Sequence, residues 1–222
     1  MQIVINQEEY VFQKGIRDDH KIKTSFNELA KQSFGFDFEA WFQLGDWEDR
    51  YIPYVLLDED CVVANVSVSL MDFDVSGEKK KYIQIGTVMT DANYRNQGLS
   101  RFLVEQALKD WHGNCDGIYL FGNDSVKDFY PKFGFASATE YQYSRKAPTS
   151  NLNIKIDKLN AEELPDLQLL KMKSATSIRI HFFLRKTMSG WFYFIVPYFL
   201  KTSFGTYLNT RRLLLQISKG IR

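Results

Sequence analysis

A strand, a polar loop with one glycine and a helix follow one another between Tyr82 and Trp111, and this order constrains the fold more than any other stretch. Tyr82 to Thr90 reads as a strand that Gly86 interrupts, which suggests a bulge or a close backbone approach. The chain bends at Ala92-Asn93-Tyr94 and passes through Arg95-Asn96-Gln97-Gly98-Leu99-Ser100 into a helical pattern. There Leu99, Phe102, Leu103, Ala107 and Trp111 recur at helical spacing, while Arg101, Glu105 and Lys109 form a polar stripe. Such a junction suits an anion. Loop N–H groups and the positive end of the helix dipole converge on one spot, and Gly98 presents no Cβ. The loop has neither the Gly-Lys-Ser/Thr ending of a P-loop nor the Gly-x-Gly-x-x-Gly of a dinucleotide turn. By themselves the six residues also fit a plain turn capped by glycine.

Downstream, Asp116-Gly117 leads into Ile118-Tyr119-Leu120-Phe121, an apolar run that fits a buried strand and completes a strand–helix–strand unit. Asn123 to Tyr130 reads as a helix, stopped by Pro131-Lys132-Phe133-Gly134-Phe135, with a further strand to about Tyr143. Upstream, residues 9–14 read as the first strand, and Ser25-Phe26-Asn27-Glu28 has the form of a capping box opening a helix. A second short helix is expected from Asp37, with Phe38, Trp41 and Phe42 on one side. Tyr51 to Leu57 and Val62 to Phe73 read as a hairpin around Asp58-Glu59-Asp60. In its second arm Val62, Ala64, Val66, Val68 and Leu70 alternate with Asn65, Ser67 and Ser69. The expected architecture is a mixed α/β (α+β) layer, a central mixed sheet flanked by helices.

Between Phe34 and Tyr54 the chain is crowded with aromatics and carries Asp46, Glu48 and Asp49. Two readings stay open: an acidic, aromatic rim suited to a cationic amine, or a core-facing helix pair with a solvated loop.

Length and charge divide the chain. Its 222 residues suffice for one well-cored domain with an appendage. Up to Asp166 there are 18 basic and 27 acidic residues, net −9; from Leu167 onward there are 10 basic residues and no acid, net +10. Residues 1–146 are therefore assigned to the domain, 147–173 to a linker with a short strand and helix, and 174–222 to an atypical basic, aromatic tail. Acids at their frequency in the whole chain would skip a stretch that long on the order of once in a thousand. Two accounts of the tail stand: a shifted reading frame with poor packing on the core, or a membrane-seeking or partner-binding segment. Its longest apolar run, Trp191 to Leu200, contains Pro197 and falls short of the roughly 20 residues that span a bilayer. Flanking Lys186 and Lys201 would suit an interfacial anchor, so membrane contact is admitted but not favoured. Cys61 and Cys115 form no CxxC, and the first residues, with Glu8 and Glu9, lack the apolar core of an export signal; a reducing, cytoplasmic setting is expected. His20, His112 and His181 have no Cys or His neighbours at ligand spacing, so no metal is expected.

Two motifs carry a resemblance. Arg95-x-x-Gly98-x-Ser100 resembles the pyrophosphate loop of the GNAT-type N-acetyltransferases, Arg/Gln-x-x-Gly-x-Gly/Ala, with Ser100 in the place of the last small residue. That superfamily's second motif has an Asn at a strand end, a Tyr seven residues later and a closing Gly-Phe, matched here by Asn123, Tyr130 and Gly134-Phe135. The likeness covers roughly Val62 to Tyr143, and the first 60 residues fit the fold without a motif.

The resemblance implies one-step transfer of an acetyl group from acetyl-CoA to an amine. The pyrophosphate would sit on the N–H groups of Arg95, Asn96, Gln97, Gly98, Leu99 and Ser100. Pantetheine would pair like an added strand with the backbone of Val88, Met89 and Thr90, and a backbone N–H there would polarise the thioester carbonyl. Asn123 would hold the pantetheine amide. Tyr130 would donate a proton to the leaving thiolate; at a reference pKa of about 10, against about 8.5 for a thiol, a phenol is protonated at neutral pH. For a general base the spacing does not choose among Asp46, Glu48, Asp49, Asp72, Asp74 and a water chain. The acceptor stays open among a polyamine, an aminoglycoside, an amino acid and a protein amine; no nucleic-acid partner is expected. Two other classes compete: a non-catalytic acetyl-CoA-binding module, which a transfer or hydrolysis rate excludes, and a membrane- or partner-binding protein acting through its tail.

Overall fold

A short hairpin and a long meander build most of one mixed sheet. The computed structural model describes residues 1–43, 45, 47, 49–75, 77–139, 163–166, 168, 169, 172, 184–187 and 211–217. Strands β1 (Gln2–Ile5) and β2 (Glu8–Lys14) form the first hairpin, and β3 (Tyr51–Asp58), β4 (Cys61–Val75) and β5 (Glu78–Thr90) the meander. All of these neighbours pair antiparallel. From β5 the chain enters helix α3 (Leu99–Trp111) and returns as β6 (Gly117–Asn123), parallel to β5. Beyond β6 lie β7 (Ala136–Ser137), β8 (Leu184–Thr187) and β9 (Arg211–Ile217). Among the described residues the sheet order is β1-β2-β3-β4-β5-β6-β9-β7, with β8 on the far part of β4.

Helices cover both faces. On one, α3 inserts Leu99, Leu103, Val104 and Ala107 against Val66, Val68, Ile83, Ile85, Ile118 and Leu120. This is the apolar stripe expected from the spacing after Gly98. On the other, α1 (His20–Phe34) and α2 (Glu39–Gln43) bury Phe26, Leu29, Ala30 and Trp41 with Val55, Leu57, Val62 and Met89. Trp47, Phe38 and Tyr51 complete that cluster, each no more than 4% exposed. Phe38, Trp41, Trp47 and Tyr51 are therefore core, whereas Phe34 is exposed and Asp46 and Glu48 lie outside the described residues.

Helix α1 opens earlier than its Ser-x-x-Glu signal. Asp19 is the N-cap, its Oδ1 accepting from the Ile22 N–H at 3.1 Å, and Ser25 lies inside the helix. The Ser25 hydroxyl instead accepts the Val62 N–H at 2.8 Å, satisfying a donor at the start of β4. Gly35, at φ 78°, ends α1 with its N–H on the Lys31 carbonyl at 2.9 Å. The helix expected over Asn123–Tyr130 is two 3₁₀ turns, Asp124–Val126 and Tyr130–Phe133. Pro131 has no N–H to donate back to residue 127 and its ring crowds that carbonyl, so the segment bonds three residues back instead, as Phe129 N–H does to the Val126 carbonyl. Gly134, at φ 86°, then stops it.

Of the segments assigned to the linker and tail, Leu164 to Asp166 and residues 168, 169 and 172 are helical, and β8 and β9 are strands. β8 pairs with Asp72–Asp74 of β4, and β9 pairs with the whole of β6. The expected strand from Ala136 to about Tyr143 is described only as β7; the linker strand and the apolar run Trp191–Leu200 lie outside the described residues. No helix among the described residues is long and apolar enough to cross a membrane.

Candidate active site

The parallel pairing of β5 and β6 stops before either strand does. It runs from Tyr82 opposite Gly117 to Ile85 opposite Leu120, while β5 continues to Thr90 and β6 to Asn123. β9 occupies the outer edge of β6 as far as Asn123. The facing edges, Gly86–Thr90 and Phe121–Asn123, are not paired with each other. Strand ends that part in this way leave main-chain donors and acceptors for an extended ligand.

On its other edge β5 carries a bulge. Ser67 of β4 opposes Gly86 but Asn65 opposes Met89, so the single residue Val66 faces both Thr87 and Val88. Thr87 sits at φ 51°, a left-handed backbone that costs a β-branched residue about 1–2 kcal/mol. The bulge expected from Gly86 therefore falls one residue later, on a threonine. Two side chains hold it: the Asn65 Nδ2 donates to the Thr87 carbonyl at 2.6 Å, and the Tyr51 hydroxyl donates to the Thr87 Oγ1 at 3.0 Å. Beyond it Met89 is buried under the α1/α2 face, whereas Val88 packs partly buried on the α3 side.

The loop ahead of α3 is held from below and open above. Asn96 (φ 63°) and Gly98 (φ 85°) are both left-handed, and Arg95, Asn96 and Gly98 are exposed. Gly98 is the N-cap of α3, and among the described residues no side chain caps the helix, so its first N–H groups lack the usual Ser or Asp acceptor. The Leu99 side chain is buried in the core, which leaves only its N–H for a ligand. Thr90 and Ser100 join strand end to helix start through hydroxyls 2.5 Å apart, and the Arg95 Nε reaches the Thr90 carbonyl at 3.4 Å. The first hairpin braces the loop: Tyr10 donates to the Gln97 Oε1 at 3.0 Å and Asn6 to the Gln97 carbonyl at 2.8 Å. Tyr94 donates to Asp58 at 2.6 Å; that hydrogen bond, with burial, pushes its phenol up to about 12.

Asn123 ends β6 with an exposed side chain and extended backbone (φ −78°, ψ 159°). Tyr130 is 5% exposed and packs edge-on against Phe129 and Phe135. Burial alone pushes its phenol up to about 12, and among the described residues no group hydrogen-bonds its hydroxyl. At neutral pH the phenol is therefore protonated.

Of the carboxylates considered as bases, Asp49 is almost fully exposed and pairs with Arg17 at 2.9 Å, and Asp72 pairs with Arg50 at 2.7 Å. Asp46, Glu48 and the side chain of Asp74 lie outside the described residues. Sequence reasoning missed Asn65, Tyr51, Asn6 and Tyr10. Asn65 alone left a signal, a large amide in an otherwise small-residue polar face of β4.

A family model, acetyltransferase (GNAT) family, matches residues 20–135. The Escherichia coli K12 protein named uncharacterized N-acetyltransferase YhbS is 28% identical over 144 residues, covering 61% of this chain and 81% of its own. Among solved structures, a predicted acetyltransferase with acetyl-CoA from Clostridium acetobutylicum superposes at TM-score 0.51 and 13% identity, covering 61% of this chain and 96% of that one. An acetyltransferase from Trypanosoma brucei does so at 0.50 and 19%, covering 62% and 99%. These two show the fold. The family match starts at α1, well before the motifs begin, and ends at the closing Gly134-Phe135. It spans more than half of the chain, and with it the mixed sheet, the parted β5 and β6 and the glycine loop have one common account: the chain belongs to the GNAT acetyltransferase family.

Proposed function

We propose that the protein moves the acetyl group of acetyl-CoA to a primary amine by direct attack. The observation that carries this reading is the parting of β5 from β6 beside an uncapped α3, an extended-ligand slot next to an anion cradle. The Clostridium neighbour, described with acetyl-CoA, supports the choice of co-substrate. Pyrophosphate oxygens accept from the N–H groups of residues 95–100, and pantetheine extends along Val88–Thr90 with Asn123 at its amide. The thioester oxygen accepts from the Val88 N–H, on the edge of β5 turned away from β4, which stabilises the negative charge that grows there. The amine nitrogen attacks the carbonyl carbon, the new C–N bond forms and the C–S bond breaks. Tyr130 protonates the departing CoA thiolate, and the proton shed by the amine leaves to solvent, from which the phenolate is reprotonated. Incubation of the full chain with acetyl-CoA and a panel of primary amines tests this: release of free CoA thiol that depends on one of the amines is expected. Binding of acetyl-CoA with neither transfer nor hydrolysis would identify a non-catalytic binding module instead.

A further inference from the structure

We propose that Asn65 and Tyr51 are positioning residues for acyl transfer, holding the Thr87 bulge so that the Val88 N–H aims at the thioester carbonyl. The inference rests on the acetyl-transfer reading above and adds what keeps its oxyanion donor in place.

A threonine does not take a left-handed backbone unaided, since its branched Cβ meets the following carbonyl there. Thr87 is fixed at both available points, its carbonyl by Asn65 and its hydroxyl by Tyr51. Asn65 is fully buried, and its amide also donates to the Ser67 Oγ at 3.0 Å. It therefore spans the stretch of β4 where one residue faces two. Tyr51 is set by its surroundings. Phe38 stacks on its ring at 5.8 Å, Trp41 and Trp47 meet it edge-on at 5.1 and 5.0 Å, and the Trp47 Nε1 donates to its carbonyl at 3.1 Å. Burial raises its phenol well above the usual tyrosine range, so it stays a donor.

An unbulged ladder would need none of these groups, and an apolar pair would fill the same space at less desolvation cost. What the braces secure is a register shift at the point where β5 has already parted from β6, leaving Val88 without a register partner on either neighbour. Preorganised donors act on a developing oxyanion only if their direction is fixed beforehand. The aromatic cluster of the α1/α2 face, which includes Phe38, Trp41 and Trp47, thereby reaches the reacting carbonyl through one hydroxyl.

The test uses acetyl-CoA labelled with carbon-13 at the thioester carbonyl and reads its infrared stretch when bound to the full chain. In the wild type the band should lie below that of free acetyl-CoA, the signature of a polarised carbonyl. Tyr51→Phe and Asn65→Leu should each move it back toward the free value, while affinity for CoA, which lacks that carbonyl, stays within about twofold because the loop carries it. Adding Thr87→Gly to either variant should restore the shift, since glycine adopts positive φ without a brace. An unchanged band in Tyr51→Phe, which loses one oxygen and decides the matter even where Asn65→Leu fails to fold, would overturn the proposal. So would a lost shift that Thr87→Gly does not restore. A wild type that binds neither CoA nor acetyl-CoA would instead sink the transfer reading beneath it.

Discussion

Asn6 donates from its Nδ2 to the Gln97 carbonyl at 2.8 Å, joining the turn of the first hairpin to the loop ahead of α3 across 91 residues of chain. Tyr10 adds a second tie to the same glutamine at 3.0 Å. The edge hairpin thus bears on the anion cradle as well as closing the sheet. Asn6→Ala combined with Tyr10→Phe should weaken acetyl-CoA binding by roughly tenfold, the loss of two hydrogen bonds of about 1 kcal/mol each, offset in part by water. Isothermal titration checks it; unchanged affinity would make the hairpin a sheet edge and no more.

Tyr130→Phe keeps the ring in its aromatic pocket and removes the proton donor. Acetyl-CoA affinity should hold while turnover falls, on the order of 10²-fold for an acid–base group. Asn123→Ala should do the reverse, weakening binding more than turnover of the bound complex. Separate binding and single-turnover measurements distinguish the two. If Tyr130→Phe turns over at the wild-type rate, Tyr130 is core packing.

Burial raises the Tyr130 phenol from its ordinary 10 to about 12, and the sign of the pH dependence follows. The folded state holds this proton more tightly than the unfolded chain. The contribution is therefore fully present below pH 10 and is lost as pH rises from 10 through 12. Urea unfolding at increasing alkalinity should show less loss across that window in Tyr130→Phe than in the wild type. An acid of that pKa also stays protonated at pH 10, so no fall in transfer rate at pH 10 should trace to Tyr130.

Lys14, Tyr54, Asp110 and Trp111 form a network that fastens the end of α3 to the sheet. Lys14 and Tyr54 each donate to Asp110 Oδ2 at 2.8 Å, and the Trp111 Nε1 donates to the Tyr54 hydroxyl at 3.2 Å. Burial pushes the Asp110 carboxyl up, but the Lys14 and Tyr54 hydrogen bonds and nearby lysine charge outweigh it and hold it below its ordinary value. Tyr54→Phe should cost about 1–2 kcal/mol in chemical denaturation, because a half-buried bond to a charged group is lost. It should leave acetyl-CoA affinity unchanged.

Legibility in the sequence followed locality. Helix α3, its stripe and the glycine loop were readable because a 3.6-residue period and a left-handed glycine are local signals. The 3₁₀ turns after Asn123 were not, because apolar spacing cannot distinguish three residues per turn from 3.6 over so short a stretch. Alternation along β4 marked Asn65, Ser67 and Ser69 as a polar face but not as a buried one. All three lie under the α1/α2 layer, and that depends on residues distant in sequence. The bulge braces were invisible for the same reason: Tyr51 and Thr87 stand 36 residues apart.

The acid-free stretch after Asp166 has its own test in the nucleotide sequence. The reading-frame account predicts that translation in one of the other two frames beyond codon 166 stays open and regains an ordinary share of acidic residues. If neither frame does so, the basic segment is authentic, and sedimentation with anionic vesicles then tests it as a membrane-seeking element.

Acetyl-CoA titration of the wild type against Gly98→Asp tests the central claim most directly. A Cβ at Gly98 meets nothing closer than the Ile5 Cγ2 at 4.0 Å, and Asp tolerates positive φ better than most residues, so the variant should fold. Its carboxylate would then stand where the pyrophosphate is expected. Acetyl-CoA should raise the melting temperature of the wild type, as any ligand of the native state does, and should leave that of the variant unmoved. Equal shifts in the two proteins would contradict the account.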